Sequence, residues 1–351
     1  MNRSIAIVDC GSGYSRLTYY TVNPSTGLIE TSRHPTNLPP LHKVISDLDS
    51  LKEWISSLLL LLPSPPPPLS IGATAGLRSI LPSLPPSSLS SFRSLLPSPF
   101  TFFILKPNQE AKYELSSSKY CSLKTKLIKP EESFGMMSSG GQSSQLGYED
   151  SLWSFETSVK SGNELGVKLG MKEGLRIFKE KVQNTMEGVE KGVGGEGGVF
   201  VVIEMLAASG SAAGLESNRR YKVRNVIEII DVFLKNSGDK NVEGERSWKD
   251  YVKEMGAVVL LEMLGKLKEG SEVAFCREFE LGEGNFVKPS WALGRAISEF
   301  IGEVEEEEKK SKEEERAQMN ARKIVRLGAV VAVVAAIGIM YARLRRSEKL
   351  N

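Results

Sequence analysis

With 351 residues, 40% of them apolar and 25% charged, the chain has ordinary globular composition and enough length for two domains with cores of their own. A net charge of +2, with neither a basic face nor an interleaved aromatic stripe, argues against a nucleic-acid partner. Cys10, Cys121 and Cys276 are too few and scattered for a disulfide framework and lack zinc-ligand spacing, and His34 and His42 lie in a Pro-rich loop and helix approach, so any general base must be a carboxylate.

In chain order, Ser4 to Asp9, Arg16 to Val22 and Gly27 to Thr31 are predicted as strands of a meander. No separate apolar region and cleavage site precede the first of them, so no signal peptide is expected. Ile45 to Leu62 predicts a helix that the Pro63 to Pro68 run stops. Leu81 to Pro99, biased to Ser, Pro and Leu, predicts a loosely ordered excursion, and Phe100 to Leu105 a strand. Past Ser138 the pattern predicts helices over Asn163 to about Val193, Val199 to Leu206, Val223 to Lys235 and Ser247 to Leu267, then a closing helix over Pro289 to Glu303. Glu305 to Lys323 is dense in charge at helical spacing and predicts a solvated stalk. Ile324 to Tyr341 is almost wholly apolar, near the roughly 17-residue minimum for a spanning helix, and predicts a single C-terminal membrane anchor suited to a thin bilayer of the ER type.

Three loops rich in Gly, Ser and Thr carry the chemistry: DCGSGYSR from Asp9, IGATAGLR from Ile71 and SSGGQSSQ from Ser138. Each follows a stretch read as a strand, where small residues let backbone N–H groups crowd an anion. Asp9, directly after the apolar run Ile5 to Val8, can hold a hard cation beside phosphate oxygens. A phosphate site with its own metal is the expectation.

These loops resemble, in order, those of the apyrase family, the nucleoside triphosphate diphosphohydrolases of the actin and sugar-kinase superfamily. The family's first motif, Asp, small, Gly, Ser, Ser, Gly, Thr, Arg, is matched in length by Asp9 to Arg16, with Tyr14 a bulky departure. Its second, Gly-Ala-Thr-Ala-Gly-Leu-Arg, is matched throughout by Gly72 to Arg78. Its third sets a catalytic Glu before a small residue with an aromatic three positions on, the register of Glu110, Ala111 and Tyr113. The fourth, Asp-Leu-Gly-Gly-Ala-Ser-Thr-Gln, keeps its glycines, Ser143 and Gln145 here, but Ser138 stands where the Asp would be. Ser158 to Leu165 and Pro289 to Ala296 are similar to two later family segments, with Trp291 read as structural.

The resemblance implies an α/β, two-lobed actin-like (ribonuclease H-like) fold with central mixed sheets: a first lobe over 1–130, a second over 131–300, the stalk over 301–323, the transmembrane helix over 324–342 and a basic tail over 343–351. It implies metal-dependent hydrolysis of the terminal phosphate of nucleoside tri- or diphosphates, with Glu110 taking a proton from the attacking water and Ser143 and Gln145 orienting it. Phosphate would be held by Gly11, Ser12, Gly13, Ser15, Arg16, Thr74, Ala75, Gly76, Gly140, Gly141, Gln142, Ser143 and Ser144, and Mg²⁺ or Ca²⁺ by Asp9. Exopolyphosphatases share the loops and a Glu-Ala pair, so inorganic polyphosphate is the alternative substrate. A membrane-tethered protein that binds nucleotide without turnover is another, motivated by Ser138. An endomembrane location of ER or Golgi type is expected, with either orientation open because Lys and Arg flank the span on both sides.

Overall fold

The computed structural model describes residues 3–140, 143–155, 165, 168, 169, 171–194, 197–238 and 248–302. Residues 1–297 form one compact unit and 298–351 a second, of which 298–302 are described, as helix.

The first sheet is built from β1 (Ser4–Cys10), β2 (Ser15–Val22), β3 (Ile29–Leu38), β4 (Leu69–Ala73) and β5 (Thr101–Ile104), in the order β3-β2-β1-β4-β5. β1 is central and buried on both faces, which is why its sequence is a continuous apolar run rather than an alternating one. β2 alternates buried and half-buried residues, and β3 is a mostly exposed edge strand that tolerates Pro35. β1 pairs antiparallel with β2 and parallel with β4, so Asp9 lies directly beside Gly72 at the ends of neighbouring strands.

The second sheet repeats this plan. β6 (Phe134–Ser139), β7 (Ser144–Tyr148) and β8 (Ser151–Phe155) form an antiparallel meander, and β6 runs parallel to β9 (Val199–Val202) as β1 runs to β4. β11 (Glu272–Phe275) extends the parallel set, with β10 (Arg220–Lys222) at the edge, and a two-stranded ribbon pairs β12 (Phe279–Glu280) with β13 (Phe286–Val287). This duplicated meander-plus-parallel architecture is not apparent in the sequence, because the two halves share hydrophobic pattern and not identity.

The helices are α1 (Leu41–Val44), α2 (Leu48–Leu61), α3 (Ala75–Arg78), α4 (Pro86–Leu95), α5 (Pro107–Lys124), α6 (Met171–Met186), α7 (Glu204–Ala212), α8 (Val223–Gly238), α9 (Trp248–Leu264) and α10 over 291–302. α2 begins where Asp47 accepts the Ser50 amide at 2.8 Å, and buries Leu51, Trp54, Ile55 and Leu58 on one stripe. α5 starts with Pro107 in its first turn, and Gln109 Oε1 accepts the Lys106 amide at 3.0 Å. It packs on β6, β7 and β8.

Two expectations about elements are corrected. Val199 to Leu206 is not one helix: Val199–Val202 is a fully buried strand, and a helix starts only at Glu204. A short apolar run rich in β-branched residues is a buried parallel strand as readily as a helix segment, and pairing with β6 and β11 on both sides decides it. The excursion over Leu81 to Pro99 holds a regular helix, α4, because Phe92 is wholly buried and forms edge contacts with Trp54 and Phe102.

The expected membrane location is also corrected. Among the described residues no helix is long and apolar enough to cross a membrane. The charged run over 305–323, the apolar run over 324–342, the basic tail over 343–351 and the segment over 158–164 lie outside the described residues.

Candidate active site

Parallel strands deliver the site. The carboxyl ends of β1, β4 and β9 and the β6–β7 turn open into one cleft of about 290 Å³. Its walls include Asp9, Gly11, Ser12, Gly13 and Arg16 from the first loop, Thr74, Ala75 and Gly76 from the second, and Gly140, Ser143 and Gln145 from the third. Glu110 and Glu114 from α5, Glu204 from the start of α7, and Trp291 and Tyr14 complete it. A larger cavity of about 650 Å³ lies against α8, lined by Ile229, Val232 and Phe233, with Glu228 its one ionisable group among the described residues. The chemistry is in the smaller one.

The two glycine-rich loops of the first sheet interlock. A Cβ on Gly76 would meet Ser12 Cα at 3.0 Å, so only glycine lets the second loop lie against the first. Gly72 has a similar role in β4, where a Cβ would stand 2.3 Å from Trp291 Cη2. Its absence admits the indole, whose Nε1 donates to Asp9 Oδ1 at 2.9 Å. The other Asp9 oxygen is 3.5 Å from Arg16 Nη2. Burial pushes the Asp9 pKa up, and Arg16 and the Trp291 hydrogen bond oppose the shift.

Glu110 sits in the first turn of α5, on its buried face. Its Oε2 accepts from Arg78 Nη1 at 2.8 Å, and the same nitrogen reaches the Leu105 carbonyl at 2.7 Å. Burial raises its pKa to about 7 despite this arginine. A carboxylate poised there can take a proton near neutral pH, as an ordinary glutamate cannot do well.

Glu114 is one turn further along the same face and is also buried, as i and i+4 residues of a packed helix are. Burial, with Glu204 and Glu110 adding repulsion, holds its carboxyl well above the usual range. Glu204 is raised as well, by burial, while Lys288 lowers it. It occupies the left-handed region at φ 55°, a conformation that costs a non-glycine residue on the order of 1–3 kcal/mol and that clusters at functional sites. Its carboxylate lies over the third loop: a Cβ on Gly140 would be 3.7 Å from Glu204 Oε2.

Several groups expected to hold phosphate have partners within the protein. Ser15 is buried outside the cleft and donates to the Pro39 carbonyl at 3.0 Å, because it begins β2 with its side chain turned to the core. Ser144 likewise faces Ser139, Oγ to Oγ at 2.8 Å, since both belong to the β6–β7 ladder. The Gly11 and Gly140 amides close their own hairpin turns, donating to the Tyr14 and Ser143 carbonyls at 3.2 and 2.9 Å. Gly141 and Gln142 lie outside the described residues. Ser138 is not a loop residue at all but part of β6.

Arg78, Glu114, Glu204 and Trp291 were not foreseen as site residues. Glu114 had a readable signal, the i+4 spacing from Glu110. Glu204 follows an apolar strand as Asp9 does, a parallel hidden by reading that strand as helix.

The donor set suits a hard divalent cation in one respect: it is all oxygen, on carboxylates that line one cleft. Among the described residues no three acids converge closely enough to form a closed ligand cage. That pattern fits an ion bound by one carboxylate together with water and phosphate oxygens. Arg16 Nε, buried with no hydrogen-bond partner among the described residues, is a donor that an anion would satisfy.

No protein-family model and no curated protein matches the chain. Solved structures do. A member of the Ppx/GppA family from Aquifex aeolicus aligns with a TM-score of 0.56 at 14% identity, over 86% of this chain and 99% of that one. The type II variant of the Aquifex aeolicus Ppx/GppA phosphatase aligns with a TM-score of 0.53 at 16% identity, over 84% and 99%. These likenesses bear out the two-sheet, actin-like α/β fold. They do not show the apyrase family.

Proposed function

We propose that the protein hydrolyses the terminal phosphoanhydride bond of phosphate chains, in the manner of an exopolyphosphatase rather than a nucleotide-selective apyrase. The observation that carries this reading is Glu110: a buried carboxylate near pKa 7, held by Arg78 in a cleft shared with two glycine-rich loops. The fold likeness to Ppx/GppA phosphatases supports it, as does the Glu110–Ala111 pair.

The cleft offers little to a nucleobase. Its aromatic side chains among the described residues are Tyr14, whose ring is covered by the Arg16 guanidinium at 5.0 Å, and Trp291, whose indole N–H is committed to Asp9. Neither is arranged to sandwich a base, so recognition would rest on phosphate alone.

In this reading ionised Glu110 accepts a proton from water as the water oxygen bonds to the terminal phosphorus. The bridging P–O bond breaks and its electron pair leaves on the shortened chain. Arg16, the Thr74 and Ser143 hydroxyls and the loop amides that face the cleft bind the phosphate oxygens and align the chain. Asp9 would hold a divalent cation, Mg²⁺ or Ca²⁺, which when bound would neutralise part of the phosphate charge.

Phosphate release from inorganic tripolyphosphate, ATP and ADP, each with Mg²⁺, tests the proposal. Turnover of tripolyphosphate at least as fast as of ATP is expected. Cleavage of the nucleotides without cleavage of tripolyphosphate would reject the phosphate-chain reading, and no release from any of them would reject the hydrolase.

A further inference from the structure

The hydroxyl of Ser138 meets two oxygens at once. Its Oγ lies 2.5 Å from Glu114 Oε2 and 2.7 Å from Gln145 Oε1. A serine hydroxyl carries one hydrogen, whereas an ionised carboxylate and an amide oxygen carry none. Two hydrogen bonds among these three oxygens need a second hydrogen, which a protonated Glu114 supplies. Ser138 then gives its own hydrogen to Gln145 Oε1, and Gln145 Nε2 donates to Ser143 Oγ at 2.9 Å. The hydrogen of Ser143 is left to point into the cleft. With Glu114 ionised the chain must run the other way: Ser138 donates to the carboxylate, the Gln145 amide turns over, and Ser143 spends its hydrogen on Gln145.

The surroundings select the first arrangement. Glu114, Ser138 and Gln145 are all buried, so the bonds among them are made chiefly by the protein. The ionisable groups that act most on Glu114 are acids, Glu110 on α5 itself, Glu204 at the start of α7 and Asp9 at the end of β1, while the nearby cations are spent on those acids, Arg78 on Glu110 and Arg16 on Asp9. β6 and β7 face it with the Ser138 hydroxyl, itself bonded to the Gln145 amide. On α10, Arg295 is engaged by the Tyr113 hydroxyl at 3.1 Å. Burial and like charge both favour the neutral acid.

We infer that Glu114 is a positioning residue, a buried neutral acid whose proton sets the direction of the chain through Ser138 and Gln145 so that Ser143 presents a hydrogen to phosphate. The phosphate part of this rests on the proposed function; the proton on Glu114 does not. The chain also gives Ser138 a physical reason. An aspartate at that position would set a second carboxylate against Glu114, where serine makes a donor–acceptor link.

Infrared difference spectra of the full-length protein with ¹³C-labelled glutamate, wild type against Glu114→Gln at pH 7, test the proton directly. A carboxylic-acid carbonyl band, shifted in D₂O and absent from Glu114→Gln, is expected; its absence from the wild type overturns the inference. Ser138→Ala should keep that band but move it, because its hydrogen-bond acceptor is gone, and an unmoved band overturns the link. The pH profile of phosphate release from tripolyphosphate supplies the functional arm. The wild-type rate should fall at alkaline pH as Glu114 ionises, and Glu114→Gln, whose amide still donates to Ser138, should lose that limb whatever its absolute rate. A limb that survives in Glu114→Gln overturns the inference. An acid band without any turnover rejects the hydrolase and leaves the neutral Glu114 standing.

Discussion

Trp291 Nε1 donates to Asp9 Oδ1 at 2.9 Å across 282 positions of sequence. The bond ties the first residue of α10 to the carboxyl end of the central strand, and it exists only because Gly72 leaves room for the ring. Asp9 is thereby held in one orientation, with one oxygen committed and the other near Arg16. Outer partners that orient a metal-binding carboxylate are worth about 10- to 100-fold in affinity or activity.

Trp291→Phe removes the donor together with the outer ring atoms that stand over Gly72. Mg²⁺ affinity, read by calorimetry, should fall by roughly tenfold, and the thermal midpoint should fall modestly because a buried ring is shortened. Unaltered Mg²⁺ affinity would show that the indole N–H does not prepare Asp9 for a cation.

Gly72→Ala places a Cβ 2.3 Å from Trp291 Cη2, a separation that real contacts do not reach. Overpacking of this kind costs about 1–3 kcal/mol. Urea unfolding should show that loss, and activity should drop further than stability because the indole is pushed off Asp9. A variant as stable as wild type would mean that the ring has other places to go.

Glu110→Gln should abolish phosphate release while tripolyphosphate still binds. In the wild type, activity should rise with pH through about 7 as Glu110 ionises. Arg78→Met removes the cation that stabilises the ionised form, so this acidic limb should move to higher pH. Because breaking a buried pair costs about 3–5 kcal/mol, the profile is to be read at a temperature where the variant is folded. A limb that does not move would exclude Glu110 as its source.

Stability should also depend on pH through the same carboxylates. Asp9, Glu110, Glu114 and Glu204 all have folded pKa values raised by burial, so between the unfolded values and the raised ones the folded state binds more protons. Their contribution is full below the unfolded values and is lost as pH rises through the folded ones, about 7 for Glu110. The urea midpoint should therefore be lower at pH 8 than at pH 5.5, and millimolar Mg²⁺ should recover part of the difference at pH 8. A midpoint that climbs over this interval would contradict the buried acid cluster.

Much of the first sheet was readable because its signals are local. Ser4 to Asp9 and Arg16 to Val22 alternate or run apolar as β1 and β2 require, and the helical spacing from Ile45, stopped by the proline run after Leu62, marks α2. Val199–Val202 was not, because four apolar residues carry no period and only neighbours on both sides make them a strand. The roles of the serines divide the same way. Ser143 and Ser144 are adjacent and chemically identical, yet Ser143, in the turn just before β7, lines the cleft while Ser144, the first residue of β7, bonds Ser139.

Sequence alone marked the three ordered glycine-rich loops and the end-of-strand Asp9, since glycine spacing and strand termini are written in consecutive residues, whereas Glu110 was singled out by the resemblance to the apyrase motifs. Tertiary structure decided which of those groups share a cleft and in which direction burial pushes their pKa values. Desolvation and like charge depend on what is packed around a carboxyl, and Arg78, Glu114, Glu204 and Trp291 reach the site from separate elements. At Ser138, where the apyrase motif would set an Asp, Glu114 brings a carboxyl to the same point from α5.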